Sequence, residues 1–131
     1  MLAKFTNTVI TLTNENKSKE MQVKEGIELH NQGLLFFEQG LCLKAVVNFE
    51  KATSIFVSSC GPESVAVLHS LICLANSYMR TEQYDGAFDT VNRMLHSSAK
   101  IMDDEQVKLS RKIVIIVESK SGIRYGFRPC Y

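Results

Sequence analysis

The sequence predicts an all-helical fold, and three features of the chain indicate it. Only two prolines occur in 131 residues, Pro62 and Pro129, so long stretches lack a strong helix breaker. Apolar residues recur at helical spacing, whereas the alternating pattern of strands is scarce. A set of residues also repeats along the chain at a constant shift, as stacked helical hairpins would require. We therefore expect five or six helices arranged as antiparallel hairpins.

The composition is that of a globular domain without a polyanionic partner. Charged residues make up 22% of the chain, apolar residues 45%, and the net charge is +1. No basic block occurs, so neither nucleic acid nor a membrane surface is expected as a partner. Unbroken apolar runs such as residues 113–117 are far shorter than the roughly 20 residues of a membrane span. The N-terminus does not match a signal peptide, and we expect a cytoplasmic location.

The cysteines and histidines are scattered along the chain and contain no CxxC pair. They are Cys42, Cys60, Cys73, Cys130, His30, His69 and His96. A metal site needs clustered ligands, so we expect no metal and no cofactor. Cys73 and His69 lie four residues apart, but no third group is evident that would orient the imidazole. Catalysis is therefore not expected, and buried cysteine is the simpler interpretation.

Residues 1–20 are predicted to form an N-terminal segment and a polar linker. Apolar residues in 2–12 are spaced three and four apart, which favours a helix, but the threonines fit a strand almost as well. The stretch NENKSKE, residues 14–20, indicates a linker or a frayed helix start. A helical domain is expected over 21–122, followed by a tail at 123–131.

Glycine and proline divide the helical domain. A helix from about residue 19 should end at Gly40, and a second helix should close at Gly61. Pro62 suits the first position of a third helix that runs to about Arg80.

Two further helices are expected after the third. One runs from about Tyr84 to Ser98. The last begins at the acidic run that starts with Asp103 and ends near Gly122.

Two sets of six residues share identical spacing, at a shift of 42 residues. The first set is Leu29, Gly33, Phe36, Ala45, Phe49 and Ala52, and the second is Leu71, Ala75, Tyr78, Ala87, Val91 and Met94. Small residues in each set would let two helices approach closely. The aromatic residue three positions after the first small residue would fill the crevice between them.

This pattern resembles the tetratricopeptide repeat, with copy one at about 26–59 and copy two at about 62–99. The turns EQGLCLKA and TEQYDGAF are similar to those of the family, although Glu82 replaces the expected glycine in copy two. The stretch GPESVAVLHSLICLANSY and the 42-residue period resemble the kinesin light-chain type of this repeat. The resemblance implies a short right-handed solenoid.

The segment at about 103–121 is either a truncated third repeat or a capping helix. Its run KIVIIVE leaves no polar face for more than one helical turn, and a buried strand is the structural alternative. A covering element is needed, which could be residues 2–12, the tail IRYGFRPCY or another chain, and we expect an intermolecular contact. The possible oligomer or partner surface consists of Ile113, Val114, Ile115, Ile116 and Val117.

The resemblance implies a concave groove, lined by the first helix of each repeat, that binds a peptide or a helix. The groove positions are Ile27, His30, Leu34, Phe37, His69, Ile72, Cys73, Asn76, Met79, Arg80 and Arg111. Some of them could instead be core. The family's carboxylate clamp is not predicted, because His30 and Leu34 replace its lysine and asparagine.

The expected function is a non-enzymatic adaptor or scaffold that binds another protein. The alternative is a structural assembly subunit that forms a homodimer or joins a constitutive partner through the last helix.

Overall fold

The computed structural model describes the backbone of residues 2–121 and the side chains of residues 18–120. This part of the chain is all-helical, as predicted. The helices are α1 (Leu2–Glu38), α2 (Cys42–Cys60), α3 (Val65–Arg80), α4 (Tyr84–Ser97) and α5 (Asp104–Ser121). Each helix packs against the next one along the chain, and α1 also touches α3. The predicted tail at 123–131 lies outside the described residues.

Secondary structure differs from the prediction at the N-terminal side of α1 and at Pro62. Residues 14–20 were predicted to be a linker or a frayed helix start, and they are helical and continuous with α1 on both sides. They contain neither proline nor glycine, and their lysines and glutamates favour helix. Pro62 does not begin α3, because the helix starts at Val65 and Ser64 is its N-cap. The Ser64 hydroxyl accepts a hydrogen bond from the Val67 amide at 3.3 Å.

The first hairpin turn, between α1 and α2, is closed by Gly40. Gly40 has φ +79°, its amide donates to the Phe37 carbonyl at 3.1 Å, and the Leu41 amide donates to Phe36 at 2.8 Å. These two bonds form a Schellman motif, which satisfies carbonyls that the helix end leaves free.

The second hairpin turn, between α3 and α4, repeats this arrangement with Glu82 in place of the glycine. Glu82 has φ +58°, and its amide donates to Met79 at 3.2 Å. The Gln83 amide donates to Tyr78 at 2.9 Å. All four positions lie 42 residues after their counterparts in the first turn, so the sequence repeat is also a repeat of backbone geometry.

Buried side chains fill the seams between consecutive helices. Ala45, Phe49, Ala87 and Val91 of the repeated pattern are fully buried. Gly33 lets α1 approach α2, because a Cβ atom there would lie 2.8 Å from a ring carbon of Phe49. The predicted seam positions therefore hold the hairpins together.

The last helix is covered by the chain itself. Three residues of the run KIVIIVE, Ile113, Val114 and Val117, are at most 5% exposed and belong to the core cluster of α3 and α4. The predicted partner surface of five residues is therefore corrected to Ile115, which is 66% exposed, and the half-buried Ile116. The run has no polar residue over one helical turn, so burying one side of α5 leaves the apolar Ile115 exposed on the other side. None of the helices in the described part of the chain is both long and apolar enough to cross a membrane.

Candidate partner-binding groove

The first helices of the two hairpins, α1 and α3, lie side by side. His30 Nδ1 lies 3.3 Å from Ser70 Oγ, and the Arg80 guanidinium carbon lies 4.4 Å from the Phe37 ring centroid. Both contacts join residues about one 42-residue repeat apart. The two helices therefore run parallel and in register, which places the predicted groove residues of both on neighbouring surfaces.

The outer part of this surface combines apolar and polar side chains. On α1, Ile27 is 47% exposed and Leu34 is 38% exposed, and they lie seven residues apart on one helix face. On α3, His69 and Arg80 are exposed and Asn76 is half-buried, at spacings that again share one face. These five residues are available to a partner, and we call this surface the α1–α3 groove.

Other predicted groove residues are partly built into the core. Phe37 and Cys73 pack against the cluster around Phe49, and Ile72 packs against the cluster around Phe56. Met79 packs against the cluster that holds α5. They are partly buried, so they contribute less surface to a partner than the five residues above. Arg111 of α5 is exposed, but it takes part in an interaction within the chain.

His30 is the most constrained polar residue of the groove. Its half-buried ring lies 5.3 Å from the Phe49 ring, with the two planes tilted by 57°, and it hydrogen-bonds Ser70. Burial lowers the pKa of His30, and the nearby His69 lowers it further. His30 is therefore held as neutral imidazole at neutral pH.

The next question is whether this region contains a reactive thiol or a group of metal ligands. Burial raises the pKa of the Cys73 thiol, so this thiol stays protonated near neutral pH. Among residues with described side chains, no group of three or more His, Cys, Asp or Glu is placed to hold a metal ion.

A cationic notch that the sequence did not predict lies at the C-terminal end of α3. This open cavity of about 450 Å³ is lined by Gly40, Leu41, Cys42, Leu43, Lys44, Arg80 and Thr81. Lys44 Nζ lies 5.6 Å from the Phe36 ring centroid, and Arg80 lies over the adjacent Phe37 ring. Each of the two cations of the notch is therefore held by a cation–π contact. The lining contains no carboxylate. The N-terminal end of α2 also carries the partial positive charge of the helix dipole. Its first turn has no acidic residue and no side-chain cap to compensate that charge.

The sequence held one signal for this notch. Phe36 and Phe37 are adjacent, and a cation lies eight residues after the first of them, at Lys44. Pairing Arg80 with Phe37 required knowing that α1 and α3 are in contact.

A second cleft lies between α2 and α4. It is lined by Glu50, Ser54, Leu74, Tyr78, Gly86, Asp89, Thr90 and Arg93. The Tyr78 hydroxyl donates a hydrogen bond to Glu50 and so ties α3 to α2. Burial raises the pKa of Tyr78, and the hydrogen bond to Glu50 and the charge of its carboxylate raise it further. The phenol stays protonated, so this contact is structural.

Comparison of the chain with models of protein families, with curated proteins and with solved structures finds no match.

Proposed function

We propose that this chain is a protein–protein interaction module that binds a peptide or an amphipathic helix along the α1–α3 groove. The observation that carries the proposal is the pair Ile27 and Leu34, which expose apolar area beside polar groups of a neighbouring parallel helix. A bound helix could cover these side chains with residues spaced three to four apart. The proposed activity is recognition, without catalysis.

The repeated hairpins support a tetratricopeptide-like solenoid as the scaffold of this groove. Both hairpins close with the same pair of hydrogen bonds, at positions 42 residues apart. Their first helices are parallel and in contact. In such a stack, first helices line one surface, which is the surface we assign to the partner.

The charge of the notch indicates the polarity of the partner. Arg80 and Lys44 are held over phenylalanine rings, and no carboxylate lies in the lining. A partner that lies along the groove would gain from a carboxylate placed at this end.

The alternative function, an assembly subunit, is less well supported, because most of the α5 surface proposed for it is buried. It relied on five apolar residues of α5, three of which are buried in the chain's own core. Ile115 alone remains strongly exposed there.

The test uses partners captured from the cell of origin with the whole chain as bait, followed by affinity measurement with the purified partner. Leu34→Lys should weaken binding by about tenfold or more, because a charge replaces a contact at the centre of the groove. Leu35→Lys is the matched control, since Leu35 is 57% exposed and points away from α3. Loss in the Leu35 variant alone would place the interface on the opposite face of α1.

A second pair of changes tests the polar contacts. Asn76→Ala combined with Arg80→Glu should weaken binding without unfolding the chain, since both side chains reach the surface. Undiminished binding by this double variant would remove α3 from the interface.

A further inference from the structure

His30 lies where a positive charge would have no compensating partner. Its ring contacts Phe49 of α2 and Ser70 of α3, and the charge of His69 lowers its pKa. The positions one turn from these contacts on the three helices carry no charged side chain. They are Gly26, Ile27, Gly33, Leu34, Ala45, Val46, Ala52, Thr53, Ala66, Val67, Cys73 and Leu74.

The one titratable residue in that set does not supply a negative charge. The pKa of the Cys73 thiol is raised by burial, so it stays neutral from acidic to neutral pH. Protonation of His30 would therefore place an imidazolium in a half-buried site close to the exposed His69, whose charge disfavours it further. Two like charges and the loss of hydration both oppose the folded contact.

We propose that the contact of His30 with Ser70, beside His69, is a pH-sensitive contact between α1 and α3, which loosens the α1–α3 groove as the pH falls below neutrality. The contact lies at the centre of the groove, between Ile27 and Leu34 on one helix and beside Ile72 on the other. As regulation of that site, this inference rests on the proposed function. The contact itself is a property of the chain alone.

The direction of the pH effect follows from proton linkage. The pKa of His30 is lower in the folded chain than in the unfolded chain, so the unfolded chain binds more protons at mildly acidic pH. The contribution of neutral His30 to stability is complete above the unfolded pKa of 6.5. It is lost progressively as the pH falls from there through the folded pKa.

The test follows the free chain from about pH 7.5 to about pH 5, where histidine titrates. We expect His30 ring resonances in NMR to titrate below the ordinary histidine range, and nuclear Overhauser contacts between the His30 and Phe49 rings to weaken as they titrate. His69→Gln should move the His30 midpoint upward. The melting temperature of the wild-type chain should fall across this range by about 2–4 °C more than that of His30→Gln.

His96→Gln is the control for histidine content, because the His96 ring bonds the Asn92 carbonyl on the exposed side of α4. It should keep the wild-type pH response. The inference is overturned if His30 titrates at or above the ordinary range, or if His30→Gln keeps the full pH response. Should His30→Gln not fold, the His69→Gln midpoint and the ring contacts decide. Because no partner is present, failure here is distinct from failure of the binding tests.

Discussion

The hairpin of α1 and α2 and the hairpin of α3 and α4 turn through the same backbone geometry with different residues. Gly40 closes the first turn and Glu82 the second, both at positive φ and with the same two hydrogen bonds. A left-handed conformation costs a residue with a side chain about 1–2 kcal/mol. The second turn forms despite that cost, which teaches that packing of the hairpin, and not glycine, dictates the turn.

The seams of the two hairpins show a different kind of divergence. In the first, Gly33 receives the large ring of Phe49, and in the second the same positions hold Ala75 and Val91. The second seam thus has a larger residue on its first helix and a smaller one on its second helix. The repeat keeps a small residue opposite a larger apolar residue, rather than either residue itself.

The same position beside each turn produces two different surfaces. In the first hairpin Lys44 lies over Phe36, which brings a cation to the notch. In the second the corresponding residue is Gly86, where a Cβ atom would lie 2.7 Å from the Tyr78 ring. Glycine therefore lets the tyrosine approach α4 and reach Glu50. The first arrangement contributes a cation to the notch, whereas the second contributes a tyrosine to the structural cleft.

The largest expected effect comes from breaking the exchange of volume in the first seam. Phe49→Val should cost about 2–3 kcal/mol by leaving a cavity, and Gly33→Ala about 1–2 kcal/mol by overpacking. The double variant copies the second seam, so its loss in urea unfolding should be smaller than the sum by about 1 kcal/mol or more.

A matched control separates this coupling from general damage. Phe56→Val removes the same volume, but Phe56 packs against Gly26 and not Gly33. Its loss should add to that of Gly33→Ala. Additive losses for the Gly33 and Phe49 pair as well would refute the exchange.

The next effect tests the small residues that the two hairpins share. Ala87 is fully buried between α4 and its neighbours, as Ala45 is in the first hairpin. Ala87→Leu should overpack the seam and lower the free energy of unfolding by about 1–3 kcal/mol. Thermal melts check this, with Ala99→Leu as an exposed control. A wild-type melt for Ala87→Leu would contradict the register of the repeat.

A smaller effect of opposite sign is expected at the two turns. Glu82→Gly should raise the free energy of unfolding by about 1 kcal/mol, and Gly40→Ala should lower it by about as much. A Cβ atom at Gly40 would meet nothing within 4 Å, so the cost there is conformational alone. Denaturant unfolding of both variants measures this, and changes of the same sign would show that the turns are not equivalent.

Helix positions in this chain could be predicted because the signals were local. Gly40 and Gly61, apolar spacing and the acidic start of α5 located the ends of the helices within a few residues, except for the start of α1, which lies at Leu2 and not near residue 19. Two signals misled. The polar run at 14–20 was interpreted as a linker or a frayed helix start, but it contains no residue that breaks a helix. Pro62 was expected to begin α3, but Ser64 caps the helix, because its hydroxyl accepts a hydrogen bond from the Val67 amide.

The surfaces were less predictable, because they depend on contacts between distant helices. The five apolar residues of α5 could not be divided into core and surface until α4 was placed against them, which leaves Ile115 outside. The pairing of Arg80 with Phe37 and of His30 with Ser70 required the contact of α1 with α3. The 42-residue shift predicted the register of α1 against α3, but it did not predict which side chains would be in contact.

The smallest expected effect concerns a polar group that the second hairpin gained where the first has a ring. Ser98 lies 42 residues after Phe56, is 1% exposed, and its hydroxyl has no hydrogen-bond partner among the described residues. A buried hydroxyl without a partner is destabilising, so Ser98→Ala should leave the free energy of unfolding unchanged or raise it by up to about 1 kcal/mol. Ser64→Ala is the control in urea unfolding, because it removes a helix cap that accepts a bond from Val67 and should cost about 1 kcal/mol. A loss in Ser98→Ala as large as that of the control would mean that the hydroxyl is hydrogen-bonded in solution. The second seam would then be completed by a polar contact where the first uses Phe56 against Gly26.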